Sequence, residues 1–252
     1  MSVYDALQRV RHGSREAMPS PQSPPPTLPP SDAREAARLS AGTREPGPIA
    51  VALTPLLAAV RPLLDAERGA VIQIVAATEG EGASTVAREF ALLAGTSGHR
   101  RTLLVDADPR DPATARMFGC DTGPGLIDWL RNEAATDNIL RTVPDTLLSV
   151  VRLTDRRNGL GADSETLREV YDALRGHFDL TVIDCPAVAS GGYSNLLPEA
   201  ADGVILVIAA EATRPAVVTH AKTQIELTGA NLLGAVLNRR SNYIPEFLYR
   251  ML

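Results

Sequence analysis

VIQIVAATEGEGASTVAR, residues 71–88, sets an apolar strand, a Gly-Glu-Gly turn and the opening of a helix at Ser84-Thr85 in immediate succession. This is the layout of a Walker A loop, in which backbone N–H groups and a helix N-terminus cradle phosphates and a Ser/Thr hydroxyl ligates Mg²⁺. One position departs from that layout. Ala83 stands where such a loop carries lysine, so the side chain that would reach the β- and γ-phosphates is missing.

The rest of the chain from residue 50 repeats the same alternation. A helix is expected around 53–66, the strand at 71–77, the loop helix at 84–97 and the strand RTLLVDAD at 101–108. Two short helical pieces to about residue 133 precede a weaker strand, LLSVVRL, at 147–153. Helix 164–176 feeds strand LTVID at 180–184, strand GVILVIAA at 203–210 feeds helix 213–228, and LLGAVLN at 232–238 closes the series. Continuous Val/Ile/Leu strands between amphipathic helices predict a mostly parallel sheet covered on both faces, a doubly wound α/β domain. Strands 71–77, 101–107, 180–184, 203–210 and 232–238 should lie in one sheet.

Composition narrows the options. The 252 residues, 44% hydrophobic and 4% aromatic, suffice for one aliphatic core. A net charge of −5 offers no concentrated basic face, so nucleic acid is not an expected partner. Cys120 and Cys185 read as two reduced structural thiols, and His12, His99, His177 and His220 show no metal-ligand spacing. No apolar run reaches the roughly 20 residues of a membrane span, so a cytoplasmic protein, or one peripheral at the inner face of the cell membrane, is expected.

Three units follow from composition. Residues 1–48 form an N-terminal segment: Val3, Ala6, Leu7 and Val10 recur at helical spacing ahead of the linker PSPQSPPPTLPP at 19–30, whose prolines forbid helix and central strand. Residues 49–241 form the folded domain, and 242–252 a tail in which Ile244, Phe247, Leu248, Met251 and Leu252 fall at helical spacing.

In doubly wound sheets ligands bind beyond the carboxyl ends of the strands. Three strand ends carry polar residues there: the Gly80–Thr85 loop, Asp106 with Asp108 in VDADPR, and Asp184 in VIDCP. Any one carboxylate alone would read first as a helix cap or a loop ion pair. Three on one rim, beside a Gly-rich turn and a Ser-Thr pair, point to a phosphate–Mg²⁺ site, present or ancestral. Trp129 reads as a core anchor.

At this point the sequence resembles the bacterial tyrosine autokinases of polysaccharide synthesis and export, a branch of the deviant P-loop ATPases that includes the partition and division-site proteins. The resemblance spans about residues 50–250. GEGAST matches the family's Gly-Glu-Gly-Lys-Ser-Thr, LLVDADPRDP with MFG the second Walker motif, and GLIDWL its Gly-Leu-Ser-Asp-x-Leu. FDLTVIDCPAV matches the Walker B strand, ADGVILVIAAEATR the next strand and loop, and GAVLNRRSNYIPEFLYRML the closing strand and tail.

The resemblance implies a P-loop NTPase fold with ATP and Mg²⁺ as cofactors. Gly80, Glu81, Gly82, Ala83, Ser84 and Thr85 would form the phosphate cradle, with Ser84 on the metal. Asp106 and Asp108 would serve the metal and the attacking hydroxyl, Asp184 would act on the metal through a water, and Asn238 would lie against the adenine. Tyr243 and Tyr249 are the candidate phosphoacceptors, although an ordinary surface or packing role is the reading that suits them better. The implied partner is a membrane-anchored polysaccharide chain-length regulator or co-polymerase. Self-association is also implied, but the family's Glu-x-x-Arg-x-x-Arg helix reads Pro55, Ala58 and Arg61 here.

Ala83 makes a regulatory or structural pseudoenzyme the expected function. Two alternatives stand beside it: an active kinase or ATPase that recruits Arg110 or Arg214 in place of the lysine, and a partition or division-site type of positioning ATPase that uses the apolar tail at a membrane.

Overall fold

The computed structural model describes residues 48–64, 68–97, 99–131, 133–134, 136–154, 164–191 and 196–239. The N-terminal segment with its linker, and the tail with Tyr243 and Tyr249, lie outside the described residues.

Helix α1 (Pro48–Leu64) leads into β1 (Ala70–Ala76), α2 (Ala83–Thr96) and β2 (Thr102–Asp106). Three short helices follow, α3 (Ala113–Met117), α4 (Leu126–Leu130) and α5 (Thr136–Ile139), before β3 (Arg141–Thr142) and β4 (Leu148–Arg152). Helix α6 (Ser164–His177) precedes β5 (Leu180–Asp184), and β6 (Gly203–Ala209), α7 (Pro215–Leu227) and β7 (Leu232–Asn238) complete the order. The strands form one sheet ordered β3-β4-β2-β5-β1-β6-β7. Every pairing is parallel except that of β3 with β4.

The expected five strands therefore do share one parallel sheet, with β4 beside them. β3 was not expected. It is two exposed residues running antiparallel along the edge, too short to leave a periodic signal. Helix α1 begins earlier than anticipated, at Pro48, because a proline at the first turn costs no hydrogen bond and pre-sets the helical φ.

Strands β1, β2, β5 and β6 are buried along their whole length, which is why each reads as an unbroken apolar run. Alternation along them splits the core into two layers. Ile72, Ile74, Leu104 and Val182 face Phe90 of α2 and Val60 of α1. Val71, Val75, Leu103 and Ile183 face Tyr171 of α6, Trp129 of α4 and Ile225 of α7. Trp129 is the expected core anchor, buried and edge-on to His177 with ring centroids 6.0 Å apart. Both cysteines are buried and free, and burial pushes both thiols up, as suits inert packing residues.

Candidate functional site

The loop between β1 and α2 needs two residues in the left-handed region, and the sequence supplies glycine at both: Gly80 at φ 81° and Gly82 at φ 93°. Gly82 is also the N-cap of α2, so the free amides of that helix's first turn begin at Ala83. Between the glycines Glu81 turns inward. Its carboxylate accepts the Thr78 N–H at 3.0 Å on one oxygen and the Thr213 hydroxyl on the other. Ala83 opens the helix with its side chain buried in the layer beneath α2.

Strand register sets the carboxylates. Asp106 of β2 and Asp184 of β5 are direct partners across the sheet, and Ile74 of β1 pairs with Asp184 in turn. Counting in twos from Leu104 and Val182 puts both carboxylates on the face that α2 covers, at the carboxyl edge of the sheet. Asp106 accepts the Ala115 N–H at 2.8 Å on one oxygen and the Asp108 N–H at 3.1 Å on the other. Burial still pushes its pKa up to about 6.

Asp184 is more deeply set. Its Oδ2 accepts the Thr114 hydroxyl at 2.7 Å, and its Oδ1 is buried with no hydrogen-bond partner. Burial raises its pKa to about 7, with the Thr114 hydroxyl bond opposing the rise and the Asp106 charge adding to it. Asp108 is half-buried, and one of its oxygens caps the following turn by accepting the N–H groups of Arg110 and Asp111.

These groups suit a magnesium ion carried in by a nucleotide. Among the described residues no three acidic, His or Cys side chains form a metal cage. Mg²⁺ commonly takes one or two carboxylates and completes its shell with water and phosphate oxygens. Ser84, Asp106 and the unpartnered Asp184 Oδ1 would supply the protein's share, and the ion would neutralise phosphate charge.

Beside the loop a cavity of about 420 Å³ is lined by Thr78, Gly80, Glu81, Thr213, Arg214 and Arg239. Asn238, at the end of β7, reaches the loop from this side: its Nδ2 donates to the Glu81 carbonyl at 2.8 Å. Arg110 lies across the opposite lip, 3.6 Å from the exposed Glu79 carboxylate. The structure thus gathers Gly80 to Thr85, Asp106, Asp108, Asp184 and Asn238 at one sheet edge. Pro55, Ala58 and Arg61 lie outside this group, on the exposed side of α1. Thr114 and Thr213 were not anticipated. Each is a lone threonine in a loop or short helix, brought to its carboxylate by contacts 70 and 132 residues apart in sequence.

No family model matches the chain. A tyrosine-protein kinase, CpsD, of Streptococcus agalactiae serotype III is 30% identical over 181 residues, covering 70% of this chain and 77% of that protein. The succinoglycan biosynthesis transport protein ExoP of Rhizobium meliloti is 29% identical over 183 residues, 70% of this chain and 23% of the far longer relative. Among solved structures, the VpsO kinase domain superposes with a TM-score of 0.63 at 27% identity, covering 83% of this chain and 98% of that one. The septum site-determining protein MinD of Pyrococcus horikoshii, complexed with Mg-ADP, gives a TM-score of 0.55 at 25% identity over 73% of this chain and 76% of that one.

Proposed function

Because the chain belongs to the bacterial tyrosine-protein kinases of capsule and exopolysaccharide biosynthesis, we propose that it serves such a pathway as a regulatory pseudoenzyme. It holds ATP with Mg²⁺ at the Gly80–Thr85 loop and transfers the γ-phosphoryl group feebly or not at all. The observation that carries this reading is the pairing of a kept metal edge with a lost cation. Asp106 and Asp184 stand together on the α2 face, while the helix position that should bring positive charge to the phosphates is a buried alanine methyl. Phosphoryl transfer relies on positioning and charge neutralisation. Deleting one comparable electrostatic group costs about 2.7–4 kcal/mol, a factor of 100 to 1,000 in rate.

The reading extends to place and partner. The protein works at the cytoplasmic face, beside a membrane-anchored chain-length regulator. Family membership supports this, and no helix among the described residues is long and apolar enough to cross a membrane.

Two measurements on purified full-length protein test it. Calorimetry should detect weak Mg-ATP binding that strengthens at least tenfold in Ala83→Lys, and radiolabelled ATP should leave no phosphotyrosine on the wild type. Robust wild-type phosphotyrosine that disappears in Asp106→Ala would overturn the pseudoenzyme. In that event a second reading has its own support: the Arg110 guanidinium already bridges to Glu79 at the loop's lip, and Arg110→Ala should then abolish the activity.

A further inference from the structure

Asn238 does something at the loop that needs no adenine. Its side chain ends 2.8 Å from the Glu81 carbonyl, an acceptor, so the end facing the loop must be the NH₂ group. The same nitrogen presses on the neighbouring glycine: a Cβ on Gly82 would stand 2.2 Å from it. On the other side of Glu81, the Thr213 hydroxyl and the Thr78 N–H hold the buried carboxylate. The residue between the two glycines is therefore gripped from three separate segments: the end of β1, the connection from β6 to α7, and the end of β7.

That grip matters because of what flanks it. Gly80 and Gly82 are the most permissive residues a loop can contain, and left alone they would let its amides sample many arrangements. Amides bind an anion well only if they are already in place when it arrives. In a loop without lysine, the amides and Mg²⁺ must supply the phosphate affinity between them.

We infer that Asn238 and Thr213 are positioning residues for the phosphate loop, which brace Glu81 and Gly82 so that the loop receives a polyphosphate whatever base it bears. The inference rests on the reading that this loop binds phosphate. It assigns Asn238 a task distinct from lying against an adenine.

The probes are Mg-ATP and Mg-tripolyphosphate, which has no base, titrated into the full chain by calorimetry. Asn238→Ala should weaken both by the same factor, roughly three- to tenfold, the equilibrium worth of one net hydrogen bond. Thr213→Val, which keeps the shape and removes only the hydroxyl donor, should do likewise. Without ligand, amide exchange in residues 80–85 should quicken in both variants, with exchange in β1, β2 and β5 unchanged as the control for folding. Loss of ATP affinity with tripolyphosphate affinity intact would overturn the inference and make Asn238 a base reader. Unaltered exchange in residues 80–85 of both variants would overturn it as well. If the wild type binds neither probe, the phosphate-site reading fails by itself, and the exchange experiment still decides whether the brace exists.

Discussion

Asp184 is satisfied on one oxygen only, and its charge is the costliest feature of the site. Thr114 holds Oδ2 while Oδ1 stays buried and unpartnered, and Asp106 lies directly across the register. With a pKa near 7 in the folded protein against 3.8 for the free group, Asp184 keeps a proton in the native state that the unfolded chain has already released between about pH 4 and 7. The native state binds more protons there, so unfolding free energy falls as pH rises through that window. Asp106, near 6, acts in the same direction over a narrower range. Asp184→Asn removes the charge and keeps an oxygen for Thr114. Denaturant unfolding of this variant should therefore lose on the order of 3 kcal/mol less than the wild type between pH 4 and pH 8. The opposite slope, with the variant falling faster, would mean that a cation offsets the charge. Because Mg²⁺ needs the ionised carboxylate, wild-type affinity for Mg-ATP should rise through pH 6–7.

Among the elements, α6 shows how a helix is fastened to the sheet at the end opposite the phosphate loop. Arg175, only 8% exposed, donates from Nε to Asp202 at 3.0 Å, from one terminal nitrogen to Asp172 at 3.0 Å and from the other to the Ala200 carbonyl at 2.6 Å. Asp202 in turn accepts the Val71 N–H at 2.8 Å, which ties α6 to the start of β1. Removing Arg175 leaves Asp202 with only the longer, 3.4 Å contact to the exposed Arg68 as its ion pair. Arg175→Met should destabilise the protein by about 2–4 kcal/mol in a denaturant titration. Arg175→Lys should recover little, because a single ammonium nitrogen cannot reach the three separate acceptors that the three guanidinium nitrogens bond.

The strands that carry the site were legible as unbroken aliphatic runs because burial on both faces demands them. So was the rim of Gly80, Asp106 and Asp184, because parallel topology sends every strand's carboxyl end to one edge. Thr114, Thr213 and the two-residue β3 left no such mark. Their places depend on side-chain contacts or pairings between distant loops, and no local period encodes those.

At the scale of the whole molecule, the described members of the two apolar layers run from Leu53 of α1 to Val236 of β7. Upstream stands the run PSPQSPPPTLPP, where seven prolines among mostly small or polar neighbours at 19–30 offer few N–H donors to a sheet and no apolar stripe to a layer. A helix over Val3–Val10, as its apolar spacing suggests, would be too short to be stable by itself and would gain binding energy only from a surface elsewhere. Deleting residues 2–30 should accordingly leave the thermal midpoint within about 2 °C of the full chain, less than 1 kcal/mol for a domain of this size. The same deletion should weaken co-purification with the proposed membrane-anchored regulator. A midpoint lowered by more than about 4 °C would place the segment on the domain's own core. Unchanged stability together with unchanged partner recovery would remove the tethered helix from the binding scheme, leaving the domain's surface to carry the association.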